Sequence, residues 1–169
     1  MDDLHLLGPQ LALLIGAGLI TGMLFALVGM VYDRAHTREI GELRGLATRM
    51  PFITAMMLVA GLASLGLPAL AGFAAEVTVF LGTFERHEAL TIVGVVGVAF
   101  AAGYILWTVQ RVFWGEPDPK WAELTDATAW WERGPLLAMT AAIIAIGVYP
   151  AWLMDLLHDG VVPIAERLN

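Results

Sequence analysis

Four long uncharged runs, separated by short charged segments, dominate this chain. They cover residues 11–32, 51–75, 89–110 and 134–154. Each meets the roughly 20 residues a helix needs to cross a hydrocarbon core about 30 Å thick. Lipid offers no partner to free backbone N–H and C=O groups, so such runs must be helical. The pattern predicts an all-α, polytopic transmembrane helix bundle, one membrane domain over residues 1–169. Its four spans are placed at about 8–32, 51–84, 89–114 and 134–157, with the second broken near 66–72. The first reads as a span and not a signal peptide, because Asp2 and Asp3 stand where a basic region belongs.

Composition agrees. Hydrophobic residues make up 59% and charged residues 15%, with mean hydropathy +0.74, against about 45–50% and about 25% in soluble domains. The absence of Cys removes disulfides, cysteine-ligated metals and cysteine nucleophiles. A net charge of −7 argues against nucleic acid, and the composition points to the lipid bilayer as the main surroundings. The charge is also sided. Arg34, Arg38, Arg44 and Arg49 lie in loop 33–50, and Arg111, Lys120 and Arg133 around loop 115–133, leaving only Arg86 and Arg167 elsewhere. The positive-inside rule puts those two loops in the cytoplasm and both termini outside. Both loops read as amphipathic; Ile40, Leu43, Leu46, Ala47 and Met50 suit a short helix lying on the membrane surface. Trp114, Trp121, Trp130, Trp131 and Trp152 read as interface anchors, and Trp107 as a deeper packing residue.

The second span is the informative one. Gly66, Pro68 and Gly72 fall near mid-membrane. Pro68 removes a backbone donor and clashes with the preceding turn, while the glycines lower the cost of irregular backbone. Unwound backbone at that depth must be covered by protein or line a water-filled cavity. Glu76 follows four residues after Gly72 and is the only ionisable side chain between Arg49 and Glu85. An ionised carboxylate there costs roughly 3 kcal/mol or more, so Glu76 requires protonation, a partner or water. A discontinuous helix beside a membrane-embedded carboxylate marks an ion path in transporters, which makes Glu76 the candidate for proton transfer. A purely structural, protonated Glu76 bonded to a neighbouring helix is the competing reading. Gly72, Glu76 and Thr83 share one helix face, a small polar stripe fit for close packing or water.

Elsewhere the chemistry is sparse. His36 sits in the basic loop as a surface residue, and His5, His87 and His158 are too scattered to hold a metal. Gly94, Gly97 and Gly103 permit close approach of another helix to the third span.

Two segments carry a resemblance. Tyr32 to Arg38 reads Y-D-R-A-H-T-R, and Gly66 to Glu76 reads G-L-P-A-L-A-G-F-A-A-E. Together they resemble subunit M (chain 4) of proton-translocating NADH:quinone oxidoreductase, respiratory complex I. The likeness runs along nearly the whole chain and corresponds to the C-terminal third of that family. It implies an antiporter-like fold of inverted repeats, each with a broken helix, and puts Glu76 on the membrane-embedded ionisable position of the second repeat. Antiporter-type subunits L and N usually carry Lys there. Ala17 stands where the family commonly has a relay His.

The resemblance implies a membrane subunit of the quinone oxidoreductase in the cell inner membrane, taking part in proton translocation coupled to quinone reduction. It brings no cofactor to this chain and no redox chemistry of its own, and neighbouring antiporter-like subunits are the expected partners. Four helices with one carboxylate do not complete a proton path, so other helices must supply the rest. Two alternatives stand beside it. One is a structural or assembly module without a working relay; the other is the homologous subunit of a cation/proton antiporter or membrane-bound hydrogenase.

Overall fold

The computed structural model describes residues 4–84, 87–153 and 155–156. Among the described residues the main α-helices are α1 (Leu4–Ala35), α2 (Pro51–Ser64), α3 (Ala71–Phe84), α4 (Glu88–Phe113) and α5 (Trp130–Val148). α1, α4 and α5 are each long and apolar enough to cross a membrane, and α2 and α3 are shorter apolar helices. In chain order α2 and α3 are the two halves of the broken second run, so among the described residues the apolar helices fall into the four runs expected.

The core forms where α1, α2 and α5 meet. Met23 and Leu27 from α1, Ile53 and Ala60 from α2, and Leu136 and Ile143 from α5 are sealed from the surroundings. Thr140 places its hydroxyl between the sulfurs of Met56 (3.4 Å) and Met23 (3.7 Å), a weak polar contact inside this apolar seam. α4 lies outside it, burying only Thr91 near one end and Val109, Val112 and Phe113 near the other. Its Gly94 receives the Phe80 ring of α3, while Gly97 and Gly103 meet nothing within 4 Å among the described residues.

The loop after α1 departs from the expected surface helix. α1 ends where His36 enters the left-handed region (φ 54), exposed on the surface. A turn at Glu39–Leu43 and one 3₁₀ turn at Leu46–Thr48 follow. Leu43, Leu46 and Met50 point into the protein core, so burial against neighbouring segments replaced burial in lipid. The second loop packs on the first: Pro117 lies against Gly45, and the indole N–H of Trp121 donates to the Glu42 carbonyl at 3.1 Å. Trp121 is therefore a buried inter-loop residue, not a headgroup anchor. Trp130 and Trp131 are exposed as expected of anchors. Trp107 is about half exposed, contacted by the Arg111 guanidinium 5.4 Å from its ring, so the deep packing expected of it is not found among the described residues. Arg86, Arg167, His158 and residues 154 and 157 of the expected fourth span lie outside the described residues.

Short polar contacts tie the second loop to two helix ends. The Arg34 guanidinium bonds the Glu132 carboxylate at 2.6 Å and the carbonyls of Thr125 (2.9 Å) and Met30 (3.1 Å). Asp126 caps α2 from 73 residues away, accepting from the N–H groups of Phe52 (2.6 Å) and Ile53 (3.2 Å). These are donors that a helix start leaves free, and Pro51 at the first position has none to satisfy.

Candidate functional site at the break in the second span

α2 stops through its own backbone. Gly66 adopts φ 63, its N–H donates to the Ala63 carbonyl at 3.3 Å, and the Leu67 N–H donates to the Leu62 carbonyl at 3.2 Å. This pair of bonds, with a left-handed glycine between them, is the Schellman stop, and it satisfies carbonyls that would otherwise be free in hydrocarbon. Pro68 comes two residues later. It does not kink a continuing helix, because the helix has already ended; its missing N–H costs nothing there.

Residues 65–70 then cross to α3 without helical order. Ala69 takes φ 75, a left-handed conformation that strains a residue with a Cβ and persists only when its surroundings hold it. α5 does so: Gly147 presses on Ala69 and Leu70 so closely that a Cβ at 147 would overlap their backbone. Gly72 sits in the same relation to the Ala63 carbonyl, which brings the start of α3 directly onto the end of α2. From the far side, Gly16 of α1 packs on Ala71, whose methyl lies 3.3 Å from where a Cβ at 16 would stand. Small residues on three helices thus close protein around the unwound segment, as irregular backbone at that depth requires.

Glu76 stands a turn into α3, and helical side chains lean toward their own N-terminus. Its carboxyl group therefore reaches back across the break and rests on Gly66. A Cβ built at 66 would fall 2.6 Å from the Glu76 Cδ and overlap Oε2. Gly66, Gly72 and Glu76 thus meet at one spot, with Pro68 in the linker beside them. Glu76 is half-buried and makes no side-chain hydrogen bond or ion pair among the described residues. Its carboxylate oxygens remain able to bond water or a group from outside these helices. Ala17 is exposed on α1 and brings no polar atom to the site.

Sequence reasoning missed two residues that shape this site. Gly147 lies in a stretch whose pattern marks only a span, and Asp126 lies in a loop with no capping signature toward α2. Neither has a local signal, because each acts on a segment distant in the chain.

A discontinuous membrane helix is a recurrent feature of transporter folds. Residues 9–101 match the family described as NADH:quinone oxidoreductase/Mrp antiporter, transmembrane, and the chain belongs to that family. Subunit M of the NADH-quinone oxidoreductase of Rhodobacter capsulatus is 32% identical over 152 residues, covering 90% of this chain and 30% of that protein. A chain in the structure of respiratory complex I from Thermus thermophilus with bound NADH superposes with a TM-score of 0.83 and 34% identity, over 99% of this chain and 35% of that one. The Mrp complex from Dietzia sp. DQ12-45-1b matches with a TM-score of 0.76 at 16% identity, a likeness of fold alone. The chain spans about a third of the length of these relatives.

Proposed function

We propose that this chain is a membrane part of a proton-translocating NADH:quinone oxidoreductase, with Glu76 as its protonatable group. The observation that carries the reading is the seat of the Glu76 carboxyl on Gly66, at the unwound segment between α2 and α3. A carboxyl group held there, without a partner among the described residues, can take a proton from one side of the break and release it to the other as its surroundings change. Membership of the family supports the coupling of that exchange to quinone reduction carried out elsewhere. No redox cofactor is assigned to this chain. Neighbouring antiporter-like membrane subunits are the partners, and they supply the rest of the proton path. The basic loops face the cytoplasm and both termini the opposite side of the inner membrane.

The second reading is a membrane module kept for assembly. What favours it is α1, where residues 14–31 carry no ionisable side chain to continue a relay from Glu76. Glu76→Gln in the assembled complex separates the two, because Gln keeps the shape of the side chain and removes the exchangeable proton. Loss of most of the proton flux in inside-out vesicles, with subunits still assembled, is the expected result. Full flux with full assembly would leave the assembly reading in place. If quinone-linked activity is missing from the complex that co-purifies with the chain, and cation/proton exchange is found, the chain serves an antiporter instead.

A further inference from the structure

α1 and α4 barely touch, and the gap between them is floored by α2. It forms a groove of about 390 Å³, lined on its walls and floor by Leu24, Val28, Met57 and Ile105 and reaching Thr37 and Arg38 at its loop end. Apart from these last two, its polar groups are limited to the Thr108 and Tyr104 hydroxyls. Val28 and Tyr104 on its lips are exposed, so the groove opens sideways between the two helices. From Leu24 to Val31 it follows about 10 Å of α1, a substantial part of one leaflet.

Its loop end is positively charged and uncommitted. Arg34 is spent on Glu132, and Lys120 lies beside Glu42. Arg38 forms no ion pair among the described residues; the Tyr32 ring supports its guanidinium from 4.4 Å. An apolar slot inside the membrane that ends at a free guanidinium at headgroup level is complementary to one kind of molecule. An α-helix with its side chains is about 10–12 Å across, so it can cap this groove but not enter it. A single hydrocarbon chain fits it, and a guanidinium matches a phosphodiester in charge and in hydrogen-bond geometry.

We propose that this groove is a phospholipid site, which takes one acyl chain between α1 and α4 and meets the lipid phosphate with Arg38. The acyl chain gains the burial that α4 leaves unmet on this side, and the phosphate fixes its depth. Anionic headgroups bind better than neutral ones, because Arg38 has no competing carboxylate among the described residues.

The test uses the chain in the complex with which it co-purifies, reconstituted in vesicles of phosphatidylcholine with a photoreactive phosphatidylglycerol that carries a diazirine on one acyl chain. After irradiation, adducts are mapped by peptide mass spectrometry. The expected adducts concentrate on Leu24, Met57 and Ile105, over the openly exposed Val96 and Phe100 of α4. Val28→Trp fills the lip of the groove and lowers its labelling about tenfold, the equivalent of about two buried methylenes, with Phe100 labelled as before. Arg38→Gln, an exposed change that leaves the apolar walls intact, lowers labelling by the phosphatidylglycerol probe several-fold and removes its advantage over a phosphatidylcholine probe. Equal labelling of groove and Phe100 would overturn the proposal, as would indifference to both substitutions. So would cross-links from the groove to another polypeptide, which would show a protein segment in place of lipid.

Discussion

Gly66 meets two demands at once, and no other residue meets both. Its φ of 63 belongs to the left-handed region, where a side chain costs about 1–2 kcal/mol, and the space a Cβ would take is held by the Glu76 carboxyl. Gly66→Ala is therefore expected to destabilise the isolated complex by more than that backbone cost and to push Glu76 off its seat. Adding Glu76→Ala to Gly66→Ala removes the overlap and is expected to recover part of the loss, leaving about 1–2 kcal/mol of backbone strain. A double-mutant cycle on thermal unfolding in mild detergent measures both terms, and strict additivity would show that the contact does not matter. The importance of Glu76 was legible in the sequence, because a single carboxylate in a long uncharged run stands out. Its contact with Gly66 was not, since their meeting depends on the chain leaving the helix after Ser64 and re-entering it only at Ala71.

At the scale of elements, the position of the break depends on how α2 is held at its other end. Asp126 satisfies two first-turn donors of α2 and lies in the loop whose Arg34 and Glu132 contacts also fix the end of α1. Asp126→Ala is expected to lower stability by about 0.5–2 kcal/mol, the usual range for a lost cap. Hydrogen exchange should locate the change, with the amides of Phe52 and Ile53 exchanging faster and those of α5's middle unchanged. Equal acceleration across the whole bundle would argue against a local capping role. The helices themselves followed from hydrophobic length, which lipid enforces. The loop 33–50 did not follow its own periodicity, because Leu43, Leu46 and Met50 found protein partners in α2, α4 and the opposite loop. A periodic apolar face states that a surface will be covered, and leaves open whether lipid or protein covers it.

For the whole molecule, the charge asymmetry and the loop packing speak to the same feature. The two basic loops touch through Gly45 and Pro117 and through Trp121 and Glu42, so they lie on one side of the bundle. The chain contains no cysteine, which makes single-cysteine labelling unambiguous. Arg44→Cys and Glu123→Cys are expected to react with a membrane-impermeant maleimide from the same face, and His87→Cys, in the turn between α3 and α4, only from the other. Labelling of Arg44→Cys and Glu123→Cys from opposite faces would break the four-span topology. By itself the sequence determined that the chain is an apolar helical bundle, where one apolar run is interrupted and which carboxylate stands beside the interruption. Those features rest on transfer free energies and backbone hydrogen bonding, which act residue by residue along the chain. Only the tertiary structure decided that the Glu76 carboxyl closes over Gly66, that Gly147 braces the unwound segment, that Asp126 anchors α2, and that α1 and α4 leave a groove ending at Arg38. Each of these joins positions far apart in the chain or depends on the exact exit angle of a helix, and hydrophobic periodicity records neither.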